Sequence, residues 1–145
     1  MSAKLISILA TILLIADATV LAVRGAILCT GPVSMTLQAL GLALAAWARV
    51  TFGYRSFHFA ANPTEGALVT RGPYRYVRNP IYAGAWLIIW AGVATHLSVS
   101  NAALGIIAVV MLLVRMFCEE QLLRERYPEY SEYAARTPRL IPFVI

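Results

Sequence analysis

Residues 85–117, "AWLIIWAGVATHLSVSNAALGIIAVVMLLVRMF", lie across two apolar runs, Ile81 to about Leu97 and Ala102 to Phe117, joined by the uncharged "SVSN". Each run comes close to the roughly 17 to 25 residues that carry a helix across a bilayer. With no charge at the joint, the stretch predicts a tight transmembrane hairpin. Working towards the N-terminus, Leu5 to Val23 and Val33 to Val50 are runs of the same kind. Of the 145 residues 60% are hydrophobic and 13% charged, where a soluble domain averages about a quarter charged, and the mean hydropathy is +0.72. The expected fold is therefore all-α: one polytopic membrane bundle of about four transmembrane helices, with a cytoplasmic helical C-terminal tail. Within this single membrane domain, residues 1–66 read as an N-terminal helical hairpin and loop, and residues 67–145 as a second half with the hairpin and tail.

Charge sets the expected orientation. Lys4 precedes the first run and Arg24 alone separates the first two; Arg55, Arg71, Arg75 and Arg78 fall between the second and third. None lies between the third and fourth, and Arg124, Arg126, Arg136 and Arg139 follow the last. Basic loops face the cytoplasm, so both termini and the long middle loop are expected there. In a membrane chain the net charge of +5 reads as attraction to anionic lipid, with no nucleic-acid partner. A rival reading of the start is a cleavable signal peptide, with Lys4, an apolar stretch to Ile15 and the triplet Ala16-Asp17-Ala18; continuation of the apolar run to Val23 favours a retained helix. Cys29 and Cys118 have no spacing for a disulfide framework or a zinc site and read as small apolar packers; no metal is expected.

The second run carries Gly41 and Ala45 among small residues at helical spacing, a packing face for another helix. After Phe117 the chain becomes charged and aromatic. Leu122 and Leu123 continue a helix out of the membrane, Pro128 opens a second short helix and Pro138 ends it.

The chemistry-bearing residues gather in two places. The first is "RGPYRYVRNPIYAG", Arg71 to Gly84. Its arginines and tyrosines suit an interfacial anchor, but Gly72-Pro73 and Asn79-Pro80 are stiff breaks that shape a loop beyond what an anchor needs. The second is Glu119-Glu120, where the fourth run meets the cytoplasm and carboxylates are costly. Arginines, tyrosines and glutamates at one depth suit a zwitterionic or cationic ligand. Asp17, inside the first run, reads as a functional candidate or as a carboxylate held by Arg24. Arg49 and Arg115 read as snorkelling side chains. His58 and His96 fall on opposite sides of the membrane and form no joint site.

"ALVTRGPYRYVRNPIYAG", followed after one hairpin by "EEQLLRERYPEYSEYAARTPRLIP", resembles the membrane methyltransferases that include isoprenylcysteine carboxyl methyltransferases and phospholipid N-methyltransferases. The resemblance covers Ala67 to Pro142 and makes this half cofactor-binding, with S-adenosylmethionine held between loop and tail. It implicates Gly72, Pro73, Tyr74, Arg75, Tyr76, Arg78, Asn79, Pro80 and Tyr82, then Glu119, Glu120, Tyr130, Tyr133, Arg136, Arg139 and Pro142. Glu120, then Glu119, would take the cofactor's ammonium or ribose; Arg78 or Arg75 its carboxylate; Tyr76 or Tyr82 its adenine or sulfonium. Arg136 or Arg139 would serve catalysis by orienting an anionic acceptor. Many members have histidine where this sequence has Asn79, which hydrogen-bonds but does not titrate near neutrality. The implied acceptor is lipid-like or prenylated, reached from membrane lipid. The alternatives are an NADPH-dependent reductase of the related sterol-reductase type, although GxGxxG is absent, or a non-catalytic membrane scaffold.

Overall fold

The computed structural model describes residues 2–53 and 68–141; Arg55, His58, Ala67 and Pro142 lie outside the described residues. The described residues form an all-helical membrane bundle. Helix α1 spans Ala3–Val23, α2 Pro32–Phe52, α3 Pro80–Thr95, α4 Val99–Arg126 and α5 Tyr130–Arg136, with a 3-10 turn at Gly72–Arg75. Local chemistry sets the starts. Ser2 caps α1 by accepting from the Leu5 N–H, and Ser98 caps α4 by accepting from the Asn101 N–H at 3.1 Å; Pro32 and Pro80 occupy first-turn positions of α2 and α3, where no N–H is needed.

Three helices, α1, α2 and α4, are long and apolar enough to cross a membrane, and α3 is a shorter apolar helix of 16 residues. The fourth run, short in the sequence, belongs to a helix of 28 residues, because Leu122 and Leu123 continue it beyond Phe117. At 1.5 Å per residue the first ~20 residues of α4 span the ~30 Å hydrocarbon layer, so Glu119 and the turns after it emerge from it. Arg136 ends α5 and Pro138 follows.

The packing order differs from the chain order. α1 packs chiefly on α4 and α2 chiefly on α3, while α3 and α4 join the two pairs. The N-terminal helices are thus each laid against a helix of the C-terminal half. The Gly41 face of α2 meets α3: a Cβ on Gly84 would lie 2.6 Å from the Gly41 carbonyl oxygen, and one on Gly41 2.8 Å from that of Gly84. In lipid, where burial gives helices little drive to associate, this backbone approach supplies the contact.

The end of the bundle away from the arginine-rich loop is tied by polar bonds. Arg24 Nε donates to Asn101 Oδ1 at 2.8 Å and its Nη2 to Ser100 Oγ at 2.6 Å; Gln38 Nε2 donates to the Ile27 carbonyl at 2.6 Å. Arg24 therefore serves α4 and not Asp17, whose expected partnership it does not supply. Asp17 lies buried in mid-helix, with no hydrogen-bond partner at Oδ2. Cys29 and Cys118 are free thiols, Cys118 buried.

Candidate active site

The basic loop is shaped before it is charged. Gly72 has φ +59°, and a Cβ there would sit 2.7 Å from Thr51 Oγ1, so the loop turns hard against the end of α2. Pro73 is fully buried and Tyr74 packs on Phe52 at 5.7 Å between ring centroids. The chain then straightens along the tail: the Arg78 N–H donates to the Pro138 carbonyl at 2.8 Å and the Asn79 N–H to that of Arg139 at 3.0 Å. These two backbone bonds join sequence blocks some sixty residues apart.

Side chains close the same junction. Glu120, 3% exposed, receives Asn79 Nδ2 on Oε1 at 2.8 Å, and on Oε2 both Arg78 Nη1 at 3.5 Å and Arg139 Nε at 3.3 Å. Asn79 stands at the N-cap position of α3 but caps nothing with its side chain; the amide goes to Glu120. Arg78 Nε is buried without a hydrogen-bond partner. Arg139 is about a third exposed and lies 5.2 Å over the Phe117 ring. Beside this node, Tyr82 on the first turn of α3 donates its hydroxyl to Glu119 Oε2 at 2.6 Å and accepts from Arg115 Nε at 3.0 Å. Arg115 also donates to Thr11 of α1, whose hydroxyl donates to the Ser7 carbonyl at 2.7 Å.

A tyrosine cluster holds the tail. Tyr127, Tyr130 and Tyr133 bury their rings together with Leu68 and Leu123 around them, and Tyr133 donates to the Tyr74 carbonyl at 2.6 Å. Burial first, and the nearby Glu120 carboxylate second, push the Tyr130 phenol up to about 12, against the pull of Arg78 and Arg124. Burial also raises Tyr74 and Tyr133.

Of the residues expected at the site, Arg78, Asn79, Glu120 and Arg139 meet in one node, with Tyr82 and Glu119 alongside. Tyr74 is buried, its carbonyl bonded by Tyr133 and its phenol within the field of Glu119. Arg75 and Arg136 line a separate open cavity of about 340 Å³ with Thr70, Glu129, Tyr133 and Thr137; Arg136 is exposed and paired with Glu132 at 3.1 Å. Tyr76 is 54% exposed. Arg115, read from sequence as a snorkelling side chain, joins the site instead. The available signal was its spacing: four residues before Glu119, it shares that residue's helix face.

Residues 30–130 match the family described as phospholipid methyltransferase. The chain belongs to that family. Among proteins similar to it, the cobalt-zinc-cadmium resistance protein CzcN of Cupriavidus metallidurans is 31% identical over 77% of this chain and 50% of its own length. Protein-S-isoprenylcysteine O-methyltransferase B of Arabidopsis thaliana is 33% identical over 76% of this chain and 58% of its own. Methanethiol S-methyltransferase of Crocosphaera subtropica is 32% identical over 49% of this chain and 28% of its own. The chain thus spans about half the length, or less, of these relatives. The stretch matched to the phospholipid methyltransferase family ends at Tyr130, so the Arg139 arm of the node lies beyond it, as does Thr11 on α1.

Proposed function

We propose that this chain transfers a methyl group from S-adenosylmethionine to a lipophilic acceptor that enters from the bilayer. One observation carries the reading: the basic loop and the stretch from Glu119 into the tail, the two blocks that carry the sequence resemblance, close on each other at Arg78, Asn79, Glu120 and Arg139. The residues fit the cofactor. Arg78 keeps a buried, unspent Nε–H donor, suited to a carboxylate. Glu120 is already engaged by three donors, so Glu119, bonded through Oε2 to one phenol, is the better seat for an ammonium or ribose hydroxyls. Glu120 acts behind it by holding both arginines. The Tyr82 ring would offer an aromatic face to the sulfonium.

The bound cofactor supplies an already activated methyl group, so the protein's part is to position the reactants and keep water out. Arg139, open on its outer side, would orient an anionic acceptor group, and the cavity between Arg75 and Arg136 would receive a further anionic group. Asn79 offers no titrating base. A carboxylate acceptor needs none, whereas an ammonium acceptor must first lose its proton. The basic loops favour the cytoplasmic side for this site. Support for the reading comes also from the family, and from relatives named as O- and S-methyltransferases acting on isoprenylcysteine and methanethiol; nothing in these favours the reductase.

A labelled-methyl transfer assay against a lipid extract, with the product identified by mass spectrometry, tests the activity. Calorimetry in detergent should show S-adenosylmethionine binding that weakens in Glu119→Gln. A chain that binds NADPH in preference, or neither molecule, would overturn the proposal.

A further inference from the structure

We infer that Arg115 is a positioning residue of this site, and that through it α1 orients the Glu119 carboxylate. The hydrogen bonds around Arg115 have a fixed direction. A guanidinium has only donors and keeps its proton at all working pH values. Arg115 Nε, 3.0 Å from the Tyr82 oxygen, therefore donates to it. With that lone pair taken, the phenol turns its own proton to Glu119 Oε2, 2.6 Å away. The other end of the same guanidinium donates to Thr11 Oγ1, and the Thr11 proton is fixed in turn on the Ser7 carbonyl, 2.7 Å away. The chain of donors runs one way, Arg115 to Tyr82 to Glu119, with Thr11 as the fixed stop that sets the guanidinium.

Two features separate this from a snorkelling arginine. Thr11 is buried on α1, which packs on α4, so the guanidinium that bonds Thr11 and Tyr82 is turned inward to α1 and α3. Arg115 also stands one turn before Glu119 on the same face of α4, yet its Nε is spent on Tyr82 of another helix, and that phenol bonds the carboxylate. In a low-dielectric interior such charge-assisted bonds gain strength and polarise one another. Loss of the first leaves the phenol free to rotate, and the carboxylate loses its fixed rotamer.

The inference rests on the cofactor reading of Glu119, and calorimetry of S-adenosylmethionine binding to the full chain in detergent tests both. Arg115→Met should weaken binding about ten-fold, and Thr11→Val, which removes only the stop, should weaken it less. Arg115→Lys should recover part of the loss. In a Tyr82→Phe background, Arg115→Met should add almost nothing, because both act through one phenol; a purely structural arginine would add its full effect there. If Glu119→Gln weakens binding but Arg115→Met and Thr11→Val leave it unchanged, the relay is wrong and the cofactor site stands. Multiplying losses in the double variant also overturn the relay. If Glu119→Gln itself has no effect, the cofactor reading falls and the relay with it. Should Arg115→Met not fold, Arg115→Lys and Thr11→Val carry the test, with unchanged binding in both overturning the inference.

Discussion

Replacing Glu120 by glutamine isolates what the buried node contributes. The variant keeps the shape of the side chain and an oxygen for Asn79 Nδ2, now at 2.8 Å. It removes the charge that faces Arg78, whose side chain is 7% exposed, and Arg139, which is 34% exposed. Removing one partner of a buried pair costs about 3 to 5 kcal/mol, because the remaining charge stays buried and uncompensated. The glutamine –NH₂ also turns a donor towards two donors. Arg139 gains little from its pairing because water screens it, so Arg139→Gln should cost no more than about 1 kcal/mol. Thermal unfolding in detergent measures the difference: at roughly 2 to 4 °C per kcal/mol for a chain of this size, Glu120→Gln should lower the midpoint by about 6 to 20 °C and Arg139→Gln by only a few degrees. Arg78→Gln should resemble Glu120→Gln. A Glu120→Gln protein as stable as the parent, or an Arg139→Gln protein as damaged as Arg78→Gln, would show that the node is not a buried ion pair centred on Arg78.

High pH should release the tail. The Tyr130 phenol sits at about 12 in the fold and near 10 when unfolded, and Tyr74 and Tyr133 are raised in the same direction. Between these values the unfolded chain has lost protons that the folded chain keeps, so this stability is whole below pH ~10 and falls as pH rises, by up to about 4 kcal/mol per pH unit if all three tyrosines act. Phenolate absorbance and the unfolding midpoint followed together should show it; gradual titration near pH 10 without unfolding would contradict it. Gly84→Ala would place a methyl 2.6 Å from the Gly41 carbonyl, and the backbone shift should cost about 1 to 3 kcal/mol; an unaltered melting curve would mean that α2 and α3 cross elsewhere. Tyr133→Phe strands the buried Tyr74 carbonyl, and denaturant unfolding should show a loss of about 1 to 3 kcal/mol, with no loss refuting that bond.

What local sequence determines is what depends on neighbours along the chain. Runs of apolar residues set the spanning helices, Pro32, Pro80 and Pro138 punctuate them, and Leu122-Leu123 carries α4 past Phe117. The membrane makes this legible, since every backbone polar group in it must be satisfied within its own helix. The two blocks of the candidate site were legible from their residue types and motif order, which are also read along the chain. Which helix lies against which was not: small residues on α2 announce a close contact without naming its partner, and α3 took it. Likewise, charge pattern marks Arg115 as interfacial, whereas its orientation depends on a threonine over a hundred residues away on α1. Arg75 and Arg78, three positions apart in one loop, were equal candidates by type. One is exposed on a cavity and the other buried against Glu120 because the Pro138 and Arg139 carbonyls bind the backbone at residues 78 and 79. Tertiary structure decided this because a hydrogen bond needs atoms within about 3 Å, and only the folded chain fixes such distances between remote residues.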